Sequence, residues 1–306
     1  MSGATPFRCT DAARERDDPP IGTAPHTTGW LLIEHPGPWS VDAIAGSGID
    51  ADVLATLTSA AREHGSRILL IRRYGRTPVA SSRAWCVVSR EGNCRWGTFQ
   101  SDGELLAAAE ALTDPIPSPP EQPNGRAPDL VLLVCAHGVH DTCCALRGRP
   151  VAAALAREWP EATWECSHVG GDRFAANLVL LPDGVYYGNL DADSAPGVVR
   201  DHLAGEVSVP YLRGFTGCYP PAQAAIAALH EALGPLGARD VQVLATHRTS
   251  AHHWQIDATI RSRPDHTYRV DVVADRRPAA RLTCRAATET IAMAYRVANI
   301  GVAVGR

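Results

Sequence analysis

Cysteine, histidine and carboxylate side chains are concentrated in two short stretches, residues 135–144 and 166–174. Eight residues separate Cys135 from Cys144 in the first stretch. Thiolate, imidazole and carboxylate groups that converge from two loops are metal ligands, and zinc and an iron–sulfur cluster are the two candidate occupants. The cysteine spacing is wider than in a zinc ribbon or knuckle, whose cysteine pairs lie two to four residues apart, and therefore favours a cluster.

Predicted strands and a helix must position these side chains. An apolar run at residues 129–134 is typical of a buried strand and would carry the first stretch to a strand end, where open α/β sheets place their sites. A helix is predicted from about Arg149 to Trp159, with Pro150 in its first turn. A second predicted strand, residues 163–166, leads into the second stretch.

Alternation, helical period and turn residues predict the remaining elements and an α/β (α+β) fold. The predicted strands are 30–34, 67–72, 85–88, 94–99, 177–181, 185–188, 241–244, 253–260 and 268–273, and the predicted helices are 52–64, 198–203 and 222–233. The β-α-β-β-β-α order around the cysteine stretch fits a thioredoxin-like domain better than a Rossmann domain. The β-α-β-β order before it suggests a diverged repeat.

Composition divides the chain into five predicted segments. They are a mobile leader at 1–22, an N-terminal thioredoxin-like domain at 23–114, a Pro-rich linker at 115–128, a thioredoxin-like ferredoxin domain at 129–218, and a small C-terminal α+β appendage at 219–306.

Bulk properties exclude several classes of function. A net charge of −4 with no basic face argues against nucleic-acid binding. No apolar run approaches the roughly 18 residues of a membrane span, and the charged N-terminus lacks the apolar region of a secretory signal. We therefore expect a cytoplasmic protein without a membrane partner. Nine cysteines in that reducing compartment are expected to be thiols or metal ligands.

Several motifs together resemble the sucrase/ferredoxin-like family. They are Cys135-x8-Cys144, residues 167–175, Tyr187-Gly188, Cys9, residues 22–24, residues 34–39 and residues 219–225. The resemblance implies a thioredoxin-like ferredoxin domain that binds a 2Fe-2S cluster. In cluster-binding relatives, two cysteines and a His-x3-His pair are the ligands.

That ligand pattern carries over at Cys135, Cys144 and His168, whereas Asp172 occupies the position of the second histidine. The fourth ligand is accordingly Asp172, with Cys166, Cys143 or water as the alternatives. A carboxylate in place of an imidazole adds about one negative charge and would lower the reduction potential.

The function that follows is that of an electron carrier or a cluster-dependent reductase. The chain has no dinucleotide-binding or flavin motif, so the electrons must come from a separate reductase and pass to an acceptor that the sequence does not identify. One alternative is a cluster-free thiol–disulfide oxidoreductase on the same fold, although no Cys-x-x-Cys is present. Another is a protein with a structural zinc.

Other residues have simpler interpretations. Cys143 is expected to be a buried apolar thiol, and His137 and His140 are expected to be solvated loop histidines. Arg173 would offset the charge of an anionic site or dock a partner. Four further cysteines, Cys86, Cys94, Cys218 and Cys284, have no spacing that suggests a site.

Overall fold

The computed structural model describes residues 6–75, 82–89, 92–114 and 130–303. The helices are α1 (Cys9–Glu15), α2 (Ala51–Glu63), α3 (Leu106–Thr113), α4 (Thr142–Glu158), α5 (Ser194–Leu203) and α6 (Pro220–Leu233). The strands are β1 (Gly29–Glu34), β2 (Ser66–Arg72), β3 (Arg83–Val88), β4 (Cys94–Phe99), β5 (Val131–Cys135), β6 (Thr163–Cys166), β7 (Leu178–Leu181), β8 (Val185–Tyr187), β9 (Leu212–Phe215), β10 (Val241–Ser250), β11 (His253–Ile260), β12 (Arg263–Arg276) and β13 (Met293–Ala303). The predicted linker at 115–128 lies outside the described residues.

Nine strands form one mixed sheet in the order β4-β3-β1-β2-β6-β5-β7-β8-β9. In each half the first two strands are parallel, around a helix that connects them, and the third pairs antiparallel with the first. The halves meet where β2 pairs antiparallel with β6, with Ile71 opposite Cys166. The predicted α/β class is confirmed, and the repeated strand order supports two related units. The domain boundaries themselves stay a prediction.

Helix α4 begins earlier than the sequence predicts. The carboxylate of Asp141 accepts a hydrogen bond from the Cys143 N–H at 2.9 Å, which caps the helix, so that Thr142 is its first residue. Pro150 consequently lies inside the helix rather than in its first turn. Cys143 and Cys144 therefore lie on the first helical turn and not in a loop.

The segment predicted as a leader contains a helix in its described part. Residues 9–15 form α1, and the side chains of Cys9, Thr10 and Ala13 are buried. This helix contacts the 3₁₀ turn at residues 172–174. The sequence pattern does not predict α1, because the helix is short and has only these three buried positions.

The C-terminal segment forms a separate four-stranded antiparallel sheet, β10-β11-β12-β13. Helix α6 contacts both this sheet and β9 of the large sheet, and its apolar residues belong to the core shared with β7, β8 and β12. Strands β9 and β13 are absent from the sequence prediction. Among the described residues, no helix is long and apolar enough to cross a membrane.

Candidate metal centre

Two cysteines meet between the end of β5 and the start of α4. Cys135 is the last residue of β5, and Cys144 lies in the first turn of α4. Gly148 lets the helix approach the strand, since a Cβ there would lie 2.1 Å from the carbonyl oxygen of Cys135. One donor atom from each of Cys135, Cys144 and His168 lies within 4.8 Å of the other two. These three predicted site residues are therefore together in space.

The loop after β6 carries His168 and Asp172 to the same place. The His168 N–H donates to Nδ1 of His137 at 3.3 Å, and the other ring nitrogen of His137 lies 2.6 Å from the carbonyl oxygen of Ser40. Gly170 and Gly171 have φ of 87° and 73°, a left-handed backbone that favours glycine. The two glycines turn the chain so that Asp172 opens the 3₁₀ turn beside His168.

Asp172 is buried and touches two of the other predicted ligands. Its Oδ1 lies 2.9 Å from Nδ1 of His168 and accepts a hydrogen bond from the Cys144 thiol at 3.2 Å. The His168 and Asp172 atoms are close enough for an ion pair, yet within the described residues Nδ1 of His168 makes no hydrogen bond of acceptable geometry. A buried ring nitrogen left without an aligned partner, beside two sulfurs and a carboxylate, fits a site built to coordinate metal.

Contacts within the group shift the pKa values of its members in different directions. Contact with Cys144 lowers the pKa of Cys135 well below its usual value despite burial, whereas the same contact and burial raise the pKa of Cys144. Burial opposes the charged form of His168, but Asp172 and Cys135 outweigh it and raise the pKa of His168 to about 9. Burial also opposes ionisation of Asp172, and its contact with His168 nevertheless holds the pKa of that carboxyl below the usual value.

The side chain of Arg213, which no sequence pattern indicates, binds the loop that contains Gly170 and Gly171. Arg213 is fully buried, and its guanidinium donates to the carbonyl oxygens of Gly170 at 2.9 Å and Thr23 at 2.7 Å, and to Asn177 at 2.8 Å. A Cβ on Gly171 would lie 2.2 Å from this guanidinium, so the second glycine is also required for space. Burial lowers the pKa of Arg213 to about 10, which leaves it charged at neutral pH.

Of the two roles predicted for Arg173, the burial of its side chain bears on that of a docking charge. Its Nε lies 3.4 Å from a carboxylate oxygen of Asp18, and its guanidinium carbon lies 4.4 Å from the centre of the Phe174 ring. The side chain is only 13% exposed. Arg173 therefore joins the 172–174 turn to the segment after α1 and does not offer a docking charge.

The alternative ligands occupy different places. Cys166 is fully buried on β6 opposite Cys135, and burial raises its pKa, but it belongs to none of the converging ligand groups among the described residues. His140, expected to be solvated, stacks on His168 with ring centroids 3.8 Å apart, and its Nε2 lies 3.8 Å from Asp172. Together with His168 and Asp172 it forms a second potential ligand group.

A further cluster of ligand-type side chains was not predicted from the sequence. Cys143 lies with Cys9, Cys284 and Asp141, and these four residues also form a potential ligand group. The adjacent cysteines at 143 and 144 were the available signal, because side chains one residue apart on a helix point about 100° away from each other. No local spacing links Cys284 to the others.

The molecule is thus an α/β protein with buried cysteine clusters that could hold metal. A model of the family described as sucrase/ferredoxin-like matches residues 20–214, which is more than half of the chain. The chain belongs to the sucrase/ferredoxin-like family, and the predicted membership is confirmed. Searches of curated proteins and of solved structures gave no significant match.

Proposed function

We propose that this protein transfers electrons through a 2Fe-2S cluster held by Cys135, Cys144, His168 and Asp172. The observation that carries the proposal is the convergence, at the end of β5, of one donor atom from each of Cys135, Cys144 and His168 within 4.8 Å of one another. When bound, the cluster would accept and release one electron at a time.

The shape of the donor set favours a cluster over a single ion. Donor atoms fall into two overlapping groups that share His168, one with the sulfurs of Cys135 and Cys144 and the other with His140 and Asp172. An extended set, with soft sulfur at one end and nitrogen and oxygen at the other, suits a centre with two metal atoms. His168 lies between the two ends.

The surrounding residues place a positive charge near the donor atoms, and two of the histidines are partly exposed to solvent. Asp172 lies beside the His168 ring, and the buried cation of Arg213 offsets the negative charge that thiolates and a carboxylate bring together. The side chains of His168 and His140 are 26% and 31% exposed, so their ring edges offer the route by which electrons would enter and leave.

The donor and acceptor would be separate proteins. We propose a reductase as donor and an unidentified acceptor, because the sequence has no dinucleotide or flavin motif. Val139, beside His140, is 54% exposed and provides apolar surface next to the histidines for a transient partner. We propose the cytoplasm as the place of action, because a reducing compartment keeps thiols such as Cys135 and Cys144 available as ligands.

Spectroscopy of anaerobically purified protein tests the proposal. Wild type should be brown, with a reducible 2Fe-2S EPR signal and equal amounts of iron and sulfide. Asp172→Ala should lose or shift that signal, while Cys166→Ala, equally buried but outside the ligand group, should keep it.

Two results would contradict this assignment. A colourless chain with neither iron nor sulfide after anaerobic reconstitution excludes the cluster. Zinc bound by Cys135 and Cys144 would instead identify a structural metal site. Disulfide exchange is less well supported, since Cys135 and Cys144 are both almost fully buried and a substrate thiol would not reach them.

A further inference from the structure

A second set of ligand-type side chains lies on the other side of the α4 start. The Sγ of Cys143 is 3.4 Å from that of Cys284, which is 3.5 Å from that of Cys9. Both carboxylate oxygens of Asp141 lie 3.6 Å from Cys9 Sγ. All four donor atoms are within 4.8 Å of one another, although they come from α1, α4, the residue before α4 and the segment between β12 and β13.

These separations match one tetrahedral metal ion. Thiolates bound at about 2.3 Å hold their sulfurs about 3.8 Å apart, and a carboxylate oxygen at about 2.1 Å lies about 3.6 Å from each sulfur. The observed sulfur–sulfur distances fall slightly below that value, as expected of side chains that converge without an ion between them. They are far longer than the roughly 2.05 Å of a disulfide bond, and all three cysteines are free.

Hydrogen bonds orient the sulfurs and the carboxylate of this cluster. Thr10 Oγ1 donates to Cys143 Sγ at 3.3 Å, and the Cys9 N–H donates to Cys284 Sγ at 3.5 Å. The Asp141 carboxylate is fully buried and receives the N–H groups of Cys143 and Cys284 at 2.9 and 2.6 Å, which fixes its orientation toward the sulfurs.

We propose that Cys9, Cys143, Cys284 and Asp141 bind a single structural metal ion, with zinc as the preferred occupant. Three thiolates and one carboxylate are all zinc ligands and complete a tetrahedral set of four, with the carboxylate in the place that a fourth cysteine or a histidine takes in other structural sites and no position left for a substrate. Cys284 is partly exposed and provides the path by which an ion would enter. The ion joins the N-terminal helix and the C-terminal segment to the start of α4.

The proposed ion lies next to the first site, because both sites use residues at the start of α4. Cys143 precedes Cys144, and Asp141 caps the helix on which both lie. Helix α1 contacts the 172–174 turn, where Arg173 pairs with Asp18. Removal of the ion should therefore loosen both Cys144 and Asp172. This consequence, unlike the metal site itself, rests on the proposed function.

Metal titration of a chain without the first site tests the proposal independently. Full-length protein carrying Cys135→Ser and Cys144→Ser would be stripped of metal, reduced without oxygen and titrated with zinc and with cobalt(II). We expect one zinc per chain and a cobalt spectrum with thiolate charge-transfer bands. Cys284→Ser in this background should bind at least 100-fold more weakly. Cys94→Ser, also partly buried against the same core, should bind as the parent does.

A second measurement covers the case in which a variant does not fold. Zinc should raise the thermal unfolding midpoint of the stripped wild-type chain, whereas magnesium should not, because binding to the folded state alone stabilises it. Four outcomes overturn the proposal: no zinc bound by the folded chain, equal affinity in Cys284→Ser, iron with sulfide at this site, or a disulfide among the three cysteines in protein kept without oxygen.

Discussion

The two cysteine clusters lie on either side of one helical turn and differ in shape. At the first, the donors form two overlapping groups with two partly exposed imidazoles. At the second, three sulfurs and a carboxylate form one compact group whose sulfurs come from residues more than 130 positions apart. An extended site with mixed ligands near the surface suits electron exchange, whereas a compact, closed site suits a structural ion.

The two clusters also differ in whether their residues lie within the part of the chain that the family model matches. All four predicted ligands of the first site lie within the matched residues 20–214, whereas Cys9 and Cys284 lie outside that segment. The second cluster thus includes residues on both sides of the matched segment, and an ion bound there would stabilise the segment that carries the first cluster. Adjacent cysteines need not serve a common site, because consecutive helical residues point in different directions.

Single substitutions of Cys143 and Cys144 should have the largest effect, which is on the metal content. Cys144→Ser should lower iron to less than about a tenth of the wild-type content and leave zinc unchanged, because a missing thiolate removes a first-site ligand. Cys143→Ser should remove zinc and lower iron only in part. Elemental analysis of both variants measures the two metals, and a parallel loss of both metals in both variants would show that the clusters form one site.

Loss of the buried arginine should have the next largest effect. Arg213→Gln leaves the carbonyl oxygens of Gly170 and Thr23 without their charged donor, which should destabilise the fold by about 3 kcal/mol. Urea unfolding measures the change, and iron content should fall while zinc persists. Arg213→Lys is the control, since it keeps the charge but not the fork of donors. Wild-type stability in both variants would argue against this role.

The ligand identity of Asp172 predicts a moderate change in potential. Asp172→His removes about one negative charge from the site and should raise the reduction potential on the order of 100 mV. Redox titration followed by EPR measures it, with Cys166→Ala as a variant that should not move the potential. An unchanged potential in Asp172→His would remove Asp172 from the set of ligands.

The smallest change is expected at His140. His140→Phe keeps a ring stacked on His168 but removes the nitrogen that lies 3.8 Å from Asp172. Iron should be retained and the potential should shift by less than in Asp172→His, because that nitrogen only approaches the carboxylate. Loss of the EPR signal would instead show that His140, rather than Asp172, is the fourth ligand.

Local patterns in the sequence predicted most of the large sheet. The apolar run at residues 129–134 becomes β5, and the predicted strands 177–181 and 185–188 become the paired strands β7 and β8. The predicted start of α4, at about Arg149, is too late because a proline at position 150 favours the first turn of a helix, whereas the Asp141 cap lies nine residues before that proline. β9 and β13 were missed because their residues become strands only by pairing with distant partners.

The sequence by itself determined the α/β class, the family and the meeting of Cys135, Cys144 and His168, since these depend on short-range patterns and motif spacing. Only the tertiary structure decided that His140 stacks at the site, that Arg213 supports it, and that Cys284 joins Cys9 and Cys143. Those contacts join residues far apart along the chain, and no local period encodes them. They exist because burial of apolar surface brings α1, α4 and the C-terminal segment against one another.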